Sequence, residues 1–373
     1  MNTRELDRRL AMTTGAAALA CSFQDKQHEK HSRLLVGLNA LCQFHYERCI
    51  EYRRILDAIG AGRQDAPSLS DLPWLPVRLF KHLSLRSVSQ SEVVRTLVSS
   101  GTSGEVSRIY LDAETARTQT RALAAIVLDF VGGKRLPMVI VDDQSFLKDR
   151  SKFNARAAGI LGFSSFGRDH FYLLDEQLRP RWGELLSYIE QRSGTPILVF
   201  GFTFLVWQTL VEDARAKGLK LSFPPGSLLI HGGGWKRLED RCVSPKVFKE
   251  ALMDQAGMTR VHNYYGMVEQ VGAIYFECEH GHLHAPGFAD VLVRNSRTLE
   301  PLPHGEPGLI QVMSLLPTSY PGHSLLTEDI GTVEGEDQCP CGRAGKVIAI
   351  HGRLANVELR GCSDTRNTTP MGA

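Results

Sequence analysis

The stretch Leu97-Val98-Ser99-Ser100-Gly101-Thr102-Ser103-Gly104 decides how the rest of the chain is read. A short apolar run, Thr96-Leu97-Val98, leads into it, and a strand-like run, Arg108-Ile109-Tyr110-Leu111, leads out. Glycines let a backbone turn so that several N–H groups face one point, and Ser and Thr hydroxyls add donors there. Such a concave array suits a phosphate, although a plain Ser/Gly-rich surface loop accounts for the same octapeptide. No Lys follows Gly104, so the stretch is not the GxxxxGK[ST] nucleotide loop.

Outward from this loop the chain alternates between two periods. Asp112 is placed to cap a helix with the face Leu123, Ile126, Val127 and Phe130, closed by Gly132-Gly133. Met138 to Val141 is a short apolar run of the kind a buried parallel strand needs. Helix-like 185–191, strand-like 197–200, helix-like 204–217 and strand-like 227–231 follow. Strands alternating with helices predict a layered α/β architecture.

Upstream, Leu34, Leu35, Leu38, Leu41 and Phe44, then Ile50, Ile55 and Ile59, predict a helical segment over 30–59 that Gly60 and Gly62 end. Trp74 between Pro73 and Pro76 reads as an extended, packed connection. Beyond Gly281, Pro and Gly become frequent, and Val291-Leu292-Val293 and Leu309-Ile310-Gln311-Val312 read as strands. The expected organisation is an N-terminal helical segment over 1–60, an α/β core over 61–280, a β-rich subdomain over 281–362 and a polar tail over 363–373.

Composition narrows the partners. The chain has 373 residues, 43% hydrophobic and 23% charged, with a net charge of +2, so nothing calls for nucleic acid or an anionic surface. No run approaches the ~20 apolar residues of a membrane span. Arg4, Arg8 and Arg9 precede a mainly apolar run over 10–21, but Glu5, Asp7, Thr13 and Thr14 depart from the signal-peptide pattern, so a cytoplasmic location is expected.

Several short motifs carry chemistry. Tyr264-Tyr265-Gly266-Met267-Val268-Glu269, after a strand edge at 260–262, offers flat faces for a purine and a hard oxygen for Mg²⁺. Taken alone, the motif reads more simply as packed tyrosines in a turn with a solvated Glu. His231-Gly232-Gly233-Gly234-Trp235-Lys236 ends a strand with glycines that permit close approach of backbone to ligand, or simply a turn. In Thr327-Glu328-Asp329-Ile330-Gly331 an Asp can accept both hydroxyls of a ribose, and Arg353 can reach a phosphate or ribose oxygen; surface ion pairs explain either residue as well. The apolar run 200–207 suits an acyl pocket and a core helix equally.

These motifs in this order resemble the acyl-adenylate-forming superfamily, which includes the phenylacetate–CoA ligases. HGGGWK and the ending LRGCSD are similar, more narrowly, to the LuxE-type acyl-protein synthetases of bacterial luminescence operons. The resemblance implies an adenylate-forming α/β domain with a smaller β-rich subdomain. It implies that Ser99, Ser100, Gly101, Thr102, Ser103 and Gly104 hold the ATP phosphates and that Gly233 and Gly234 lie along the adenine. It implies that Tyr265, with Gly266 and Met267, stacks on the base, that Glu269 helps place Mg²⁺, that Asp329 binds the ribose and that Arg353 reaches the nucleotide near the hinge.

Two departures stand out. Asn356 takes the place of an Asp hinge residue, and the mobile C-terminal domain of typical members, with its catalytic Lys, is expected to be lacking. In acyl-protein synthetases a Cys near the terminus receives the acyl group, which Cys362 matches. A thiolate is a good nucleophile toward a mixed anhydride, so Cys362, Glu269 and Thr102 are the expected catalytic residues.

Cys278, His284, Cys339 and Cys341 supply three thiols and an imidazole, a set suited to tetrahedral Zn²⁺, with His282 or His280 as substitutes for His284. The expected reaction converts a fatty acid and ATP to acyl-AMP and then to a thioester on Cys362. The resemblance implies onward delivery to a partner such as a fatty-acyl reductase. A ligase using CoA or a carrier-protein thiol, a non-catalytic nucleotide- or acyl-binding subunit, and a homo-oligomer are left open. A hydrolase is disfavoured by the lack of a G-x-S-x-G elbow.

Overall fold

A computed structural model describes residues 23–62, 64–99, 106–148, 155–235 and 242–354. Ser100 to Gly104, Asn356, Cys362 and the signal-like run at 10–21 lie outside them. The strands are β1 (Leu75–Pro76), β2 (Arg95–Val98), β3 (Arg108–Leu111), β4 (Leu136–Val141), β5 (Gly167–Tyr172), β6 (Leu198–Phe202) and β7 (Leu228–Gly232). They continue as β8 (Arg260–Tyr265), β9 (Tyr275–Glu277), β10 (Leu283–His284), β11 (Ala289–Arg294), β12 (Gly308–Ser314), β13 (Ser324–Glu336) and β14 (Lys346–Arg353). The described residues form two compact units, one drawn from those within 23–97, 107–133 and 263–354 and the other from those within 98–99, 106 and 134–262. They cut across the contiguous segments expected from sequence, because strands far apart in the chain share one sheet.

In the second unit β5, β4, β6 and β7 lie side by side and parallel. β4, β6 and β7 are almost continuously buried, as their apolar runs require when both faces are covered, whereas β5 at the edge is exposed over half its length. Val139, Val199, Leu205, Val206, Leu210 and Leu252 belong to one apolar core. The run 200–207 is thus mostly core: Phe200 and Val206 are fully buried. The helix expected over 204–217 forms over 203–216, but residues 207–213 wind as a π-helix. There the indole of Trp207 donates to Glu212, five residues on, at 3.0 Å.

In the first unit β11, β12, β13, β14, β10 and β9 form an antiparallel order, with β1 parallel to β13. Leu75 pairs with Leu325, which makes the Trp74 connection a strand. β2 and β3 form a two-stranded ribbon. Helix Ala113–Val131 starts on the Asp112 carboxylate, which accepts from Thr115 N at 2.7 Å, and stops at Gly132 with φ 86°.

The N-terminal helix expected over 30–59 is two helices, Gln27–Arg48 and Ile50–Ala58, broken at Cys49 where the backbone is extended. The break rotates the second helix out of phase. Tyr52 and Leu56 face the core there, while Ile50 and Ile59 are exposed. Among the described residues no helix is long and apolar enough to cross a membrane.

Candidate functional site

β8 extends through Tyr265, so Asn263, Tyr264 and Tyr265 lie on the strand and not in a turn after it. Tyr265 pairs in register with Tyr275 on β9, and the two rings pack at 5.9 Å. The Tyr265 hydroxyl donates to Asp329 Oδ2 at 2.7 Å. Asp329 on β13 lies opposite Arg353 on β14, whose Nε donates to the other carboxylate oxygen at 3.2 Å. Tyr265 and Arg353, far apart in the chain, therefore converge on the carboxylate of Asp329. Desolvation and the facing Asp329 charge hold the Tyr265 phenol well above its ordinary value, so it stays a donor.

Glu269 sits on the tight turn Val268–Gln270 and is buried. Burial pushes its carboxyl up, against a hydrogen bond from Ser107 and the positive charges of Arg353 and Lys81. The turn is wedged in place on both sides. Gln270 Nε2 donates to Gly322 O at 2.9 Å, and a Cβ on Gly322 would stand 2.7 Å from Glu269 O. Gly272 has φ +84°, and a Cβ there would stand 2.6 Å from the Gln119 carbonyl. Ser107 is the residue that sequence reasoning missed: it follows the Ser/Gly loop by three positions, and only the fold brings it to Glu269.

Gly266 is exposed and Met267 half-buried beside these groups. Ser99 is half-buried at the end of β2. In the second unit Gly233 and Gly234 follow β7, exposed, with φ 82° and 66°, conformations that L side chains avoid. Thr102 and its neighbours, and Cys362, are outside the described residues.

The second constellation is made of sulfur. Cys278, His284, Cys339 and Cys341 each offer a ligand atom, and these atoms all lie within 4.8 Å of one another. Cys278 Sγ and Cys339 Sγ are 3.8 Å apart, and Cys341 Sγ is 3.4 Å from His284 Nε2. Tetrahedral Zn²⁺ with bonds of about 2.3 Å to sulfur and about 2.0 Å to nitrogen needs edges of about 3.8 and about 3.6 Å. The residues fit such an ion.

Burial pushes His284 down to about 4, so it is the neutral imidazole a metal requires. Burial would raise the Cys341 thiol, but hydrogen bonds from the Arg343 main chain, Cys339, the Arg343 guanidinium and Cys278 together hold it below its ordinary value. Cys339 also has His282 Nδ1 at 3.2 Å, while His280 is exposed.

Fold and site together define an adenylate-forming ligase architecture. The structure superposes on 2-hydroxyisobutyryl-CoA ligase in complex with its acyl-AMP, with a TM-score of 0.68 at 19% identity, over 89% of this chain and 69% of that one. The chain belongs to the acyl-protein synthetase family, LuxE, whose model matches residues 9–369. It is 24% identical over 348 residues to the long-chain-fatty-acid–luciferin-component ligase of Vibrio harveyi, covering 91% of this chain and 87% of the relative. The Aliivibrio fischeri ligase of the same name is 25% identical, over 86% of this chain and 84% of its own length. A phenylacetate–coenzyme A ligase of Thermus thermophilus is 26% identical, over 82% of this chain and 66% of its own. All three are ligases, and family membership makes this chain one.

Proposed function

We propose that the chain joins a long-chain carboxylic acid to a thiol in two steps, with MgATP as the activating substrate. The observation that carries this reading is the convergence of Tyr265 and Arg353 on the Asp329 carboxylate, in the same unit as the buried Glu269. Asp329 offers an anionic acceptor for ribose hydroxyls, Tyr265 a flat face for adenine and Arg353 a donor for an adjacent oxygen. Glu269 holds Mg²⁺ against the phosphates. Ser99, Ser100, Gly101, Thr102, Ser103 and Gly104 supply donors that stabilise charge as it develops on them, and Gly233 and Gly234 leave room along the base.

In the first step an oxygen of the acid attacks the α-phosphorus, the bond to pyrophosphate breaks, and acyl-AMP forms. In the second a thiolate attacks the acyl carbon and AMP departs. We assign that thiol to Cys362, with onward transfer to a partner such as an acyl reductase. Acid-dependent exchange of labelled pyrophosphate into ATP tests the first step, and its absence would overturn the whole reading. Hydroxylamine-sensitive label on the protein tests the second. Label lost in Cys362→Ala supports the acceptor role, whereas full turnover of that variant onto CoA or a carrier thiol would transfer the role to an external acceptor.

The sulfur constellation belongs to the same proposal as a structural Zn²⁺ centre held by Cys278, His284, Cys339 and Cys341. Four protein ligands leave no open position for chemistry, so the ion contributes to folding and not to the reaction. About one zinc per purified chain, lost in Cys339→Ser, is the expected result of elemental analysis.

A further inference from the structure

Helix Gln27–Arg48 begins without a cap of its own, because Lys26 makes no capping bond. The Gln27 N–H donates instead to both carboxylate oxygens of Asp337, each at 3.0 Å and 310 residues along the chain. Asp337 also closes the base of the cysteine loop. Its Oδ1 accepts from Gly345 N at 2.8 Å, and its own N–H donates to Gly345 O at 3.1 Å. It does so at φ 60°, a left-handed conformation that costs a non-glycine residue about 1 kcal/mol.

Between Cys339 and Gly345 the loop makes further attachments. Ala344 N donates to Phe23 O at 2.7 Å. Arg343 Nε bonds Asp129 Oδ1 at 2.8 Å near the end of helix Ala113–Val131, and its guanidinium lies 3.8 Å over the Phe130 ring. Phe23 packs edge-on to both Phe130, at 4.9 Å, and His284, at 6.2 Å. Beneath, the buried Asp290 accepts from Gln27 at 2.9 Å and Lys346 at 3.3 Å, and Lys30 donates to Ala285 O at 3.1 Å.

Cys339 and Cys341 are only half-buried, and Gly342 and Gly345 both have positive φ. Asp337 precedes Cys339 by two residues and Arg343 follows Cys341 by two, so an ion that fixes the two thiols also fixes both attachments.

We propose that metal loading at Cys278, His284, Cys339 and Cys341 is what fastens helix Gln27–Arg48 and the end of helix Ala113–Val131 to the β-rich sheet, through Asp337 and Arg343. The inference rests on the zinc reading above. Without the ion the loop relaxes, Asp337 withdraws from Gln27, and the helix start frays while the sheet stays intact.

The test is hydrogen–deuterium exchange on the full chain, as purified, after treatment with 1,10-phenanthroline, and after Zn²⁺ is returned, with metal content measured in each state. Amides of the first turns of Gln27–Arg48 are expected to exchange at least about tenfold faster without metal and to recover with it, while helix Pro245–Ala256 is unchanged. Asp337→Gly suits the left-handed backbone and keeps all four ligands. It is expected to speed exchange at the same amides with zinc content unchanged. A chain that carries zinc, loses it to the chelator and keeps full protection at Gln27–Arg48 overturns this inference alone. A chain that neither contains nor takes up metal overturns the zinc reading with it.

Discussion

The Tyr265 hydroxyl stands 2.7 Å from Asp329 Oδ2, 64 residues further along the chain. With Arg353 on the second oxygen, the carboxylate is oriented from both sides before any ligand arrives. An oriented acceptor spares a ribose the cost of ordering it. Tyr265→Phe keeps the ring and removes one hydrogen bond of about 1 kcal/mol, so the KM for ATP in pyrophosphate exchange should rise about fivefold with kcat nearly unchanged. If Asp329 takes the ribose as proposed, Asp329→Ala should cost at least about a hundredfold in kcat/KM, since a carboxylate accepting two hydroxyls carries charge-assisted bonds. Equal losses in the two variants would overturn the view that the phenol acts only by orienting the carboxylate.

On the proposed reading Glu269 bears on stability and activity with opposite signs. Burial raises its folded-state value above the ordinary carboxyl range, so the unfolded chain releases this proton more readily than the folded one. Stability from this group is therefore present below the unfolded value and is lost as pH rises through the folded one. Glu269→Gln removes that loss. It should melt higher than the parent at pH 7.5 while losing at least about a hundredfold in Mg²⁺-dependent exchange, because an amide is a poor ligand for a hard cation. A variant that melts lower would show the carboxylate to be held by its surroundings as an anion.

Local chemistry made part of this fold legible and long-range chemistry hid the rest. Asp112 and Gly132 bound a helix through their own neighbours, and the apolar runs of β4, β6 and β7 need only burial on both faces. The four Cys and His residues chosen by type and spacing are those whose ligand atoms converge. By contrast, Ile50 and Ile59 fit a continuous helical stripe, and only the break at Cys49 exposes them. Ser107 and Asp337 carry no local signature at all. Each matters through a partner more than 150 residues away, and that distance is set by sheet order.

Two buried histidines set the acid limit of the first unit. His45 bonds Ser87 at 2.7 Å and Pro317 O at 3.0 Å, and its ring stacks on His323 at 5.0 Å. His323 faces Cys42 at 3.1 Å and the Tyr52 hydroxyl at 3.3 Å, with no carboxylate among these neighbours. Burial lowers His323 to about 3 and holds His45 well below its ordinary value, helped there by His323. Both states are neutral above about pH 6.5, and below it only the unfolded chain takes up protons. Stability should thus fall by about 1.4 kcal/mol per pH unit per histidine as pH drops below 6.5. Urea midpoints between pH 7.5 and 5 check this. His323→Asn should flatten the slope by about half, and an unchanged slope would sink the assignment.

In the second unit the most consequential polar pair is Arg156 with Asp142. The guanidinium meets both carboxylate oxygens, Nε at 2.6 Å, where the two side chains are 8% and 3% exposed. Asp142 follows β4 directly, and its Oδ1 also accepts from Asp143 N at 2.7 Å, so the carboxylate ties the end of a central strand to the helix Ala155–Ser164. Burial pushes the Asp142 carboxyl up, opposed first by the facing guanidinium and then by the Asp143 N–H. Arg156→Met removes the guanidinium and leaves a carboxylate that must stay buried unpaired or take up a proton, a loss of about 3–5 kcal/mol. Asp142→Asn combined with Arg156→Met replaces the charge by an amide that still accepts from Asp143. The double variant should therefore recover most of the loss. A double-mutant cycle by chemical denaturation measures the coupling, and strictly additive losses would mean that the pair contributes through packing and not through charge.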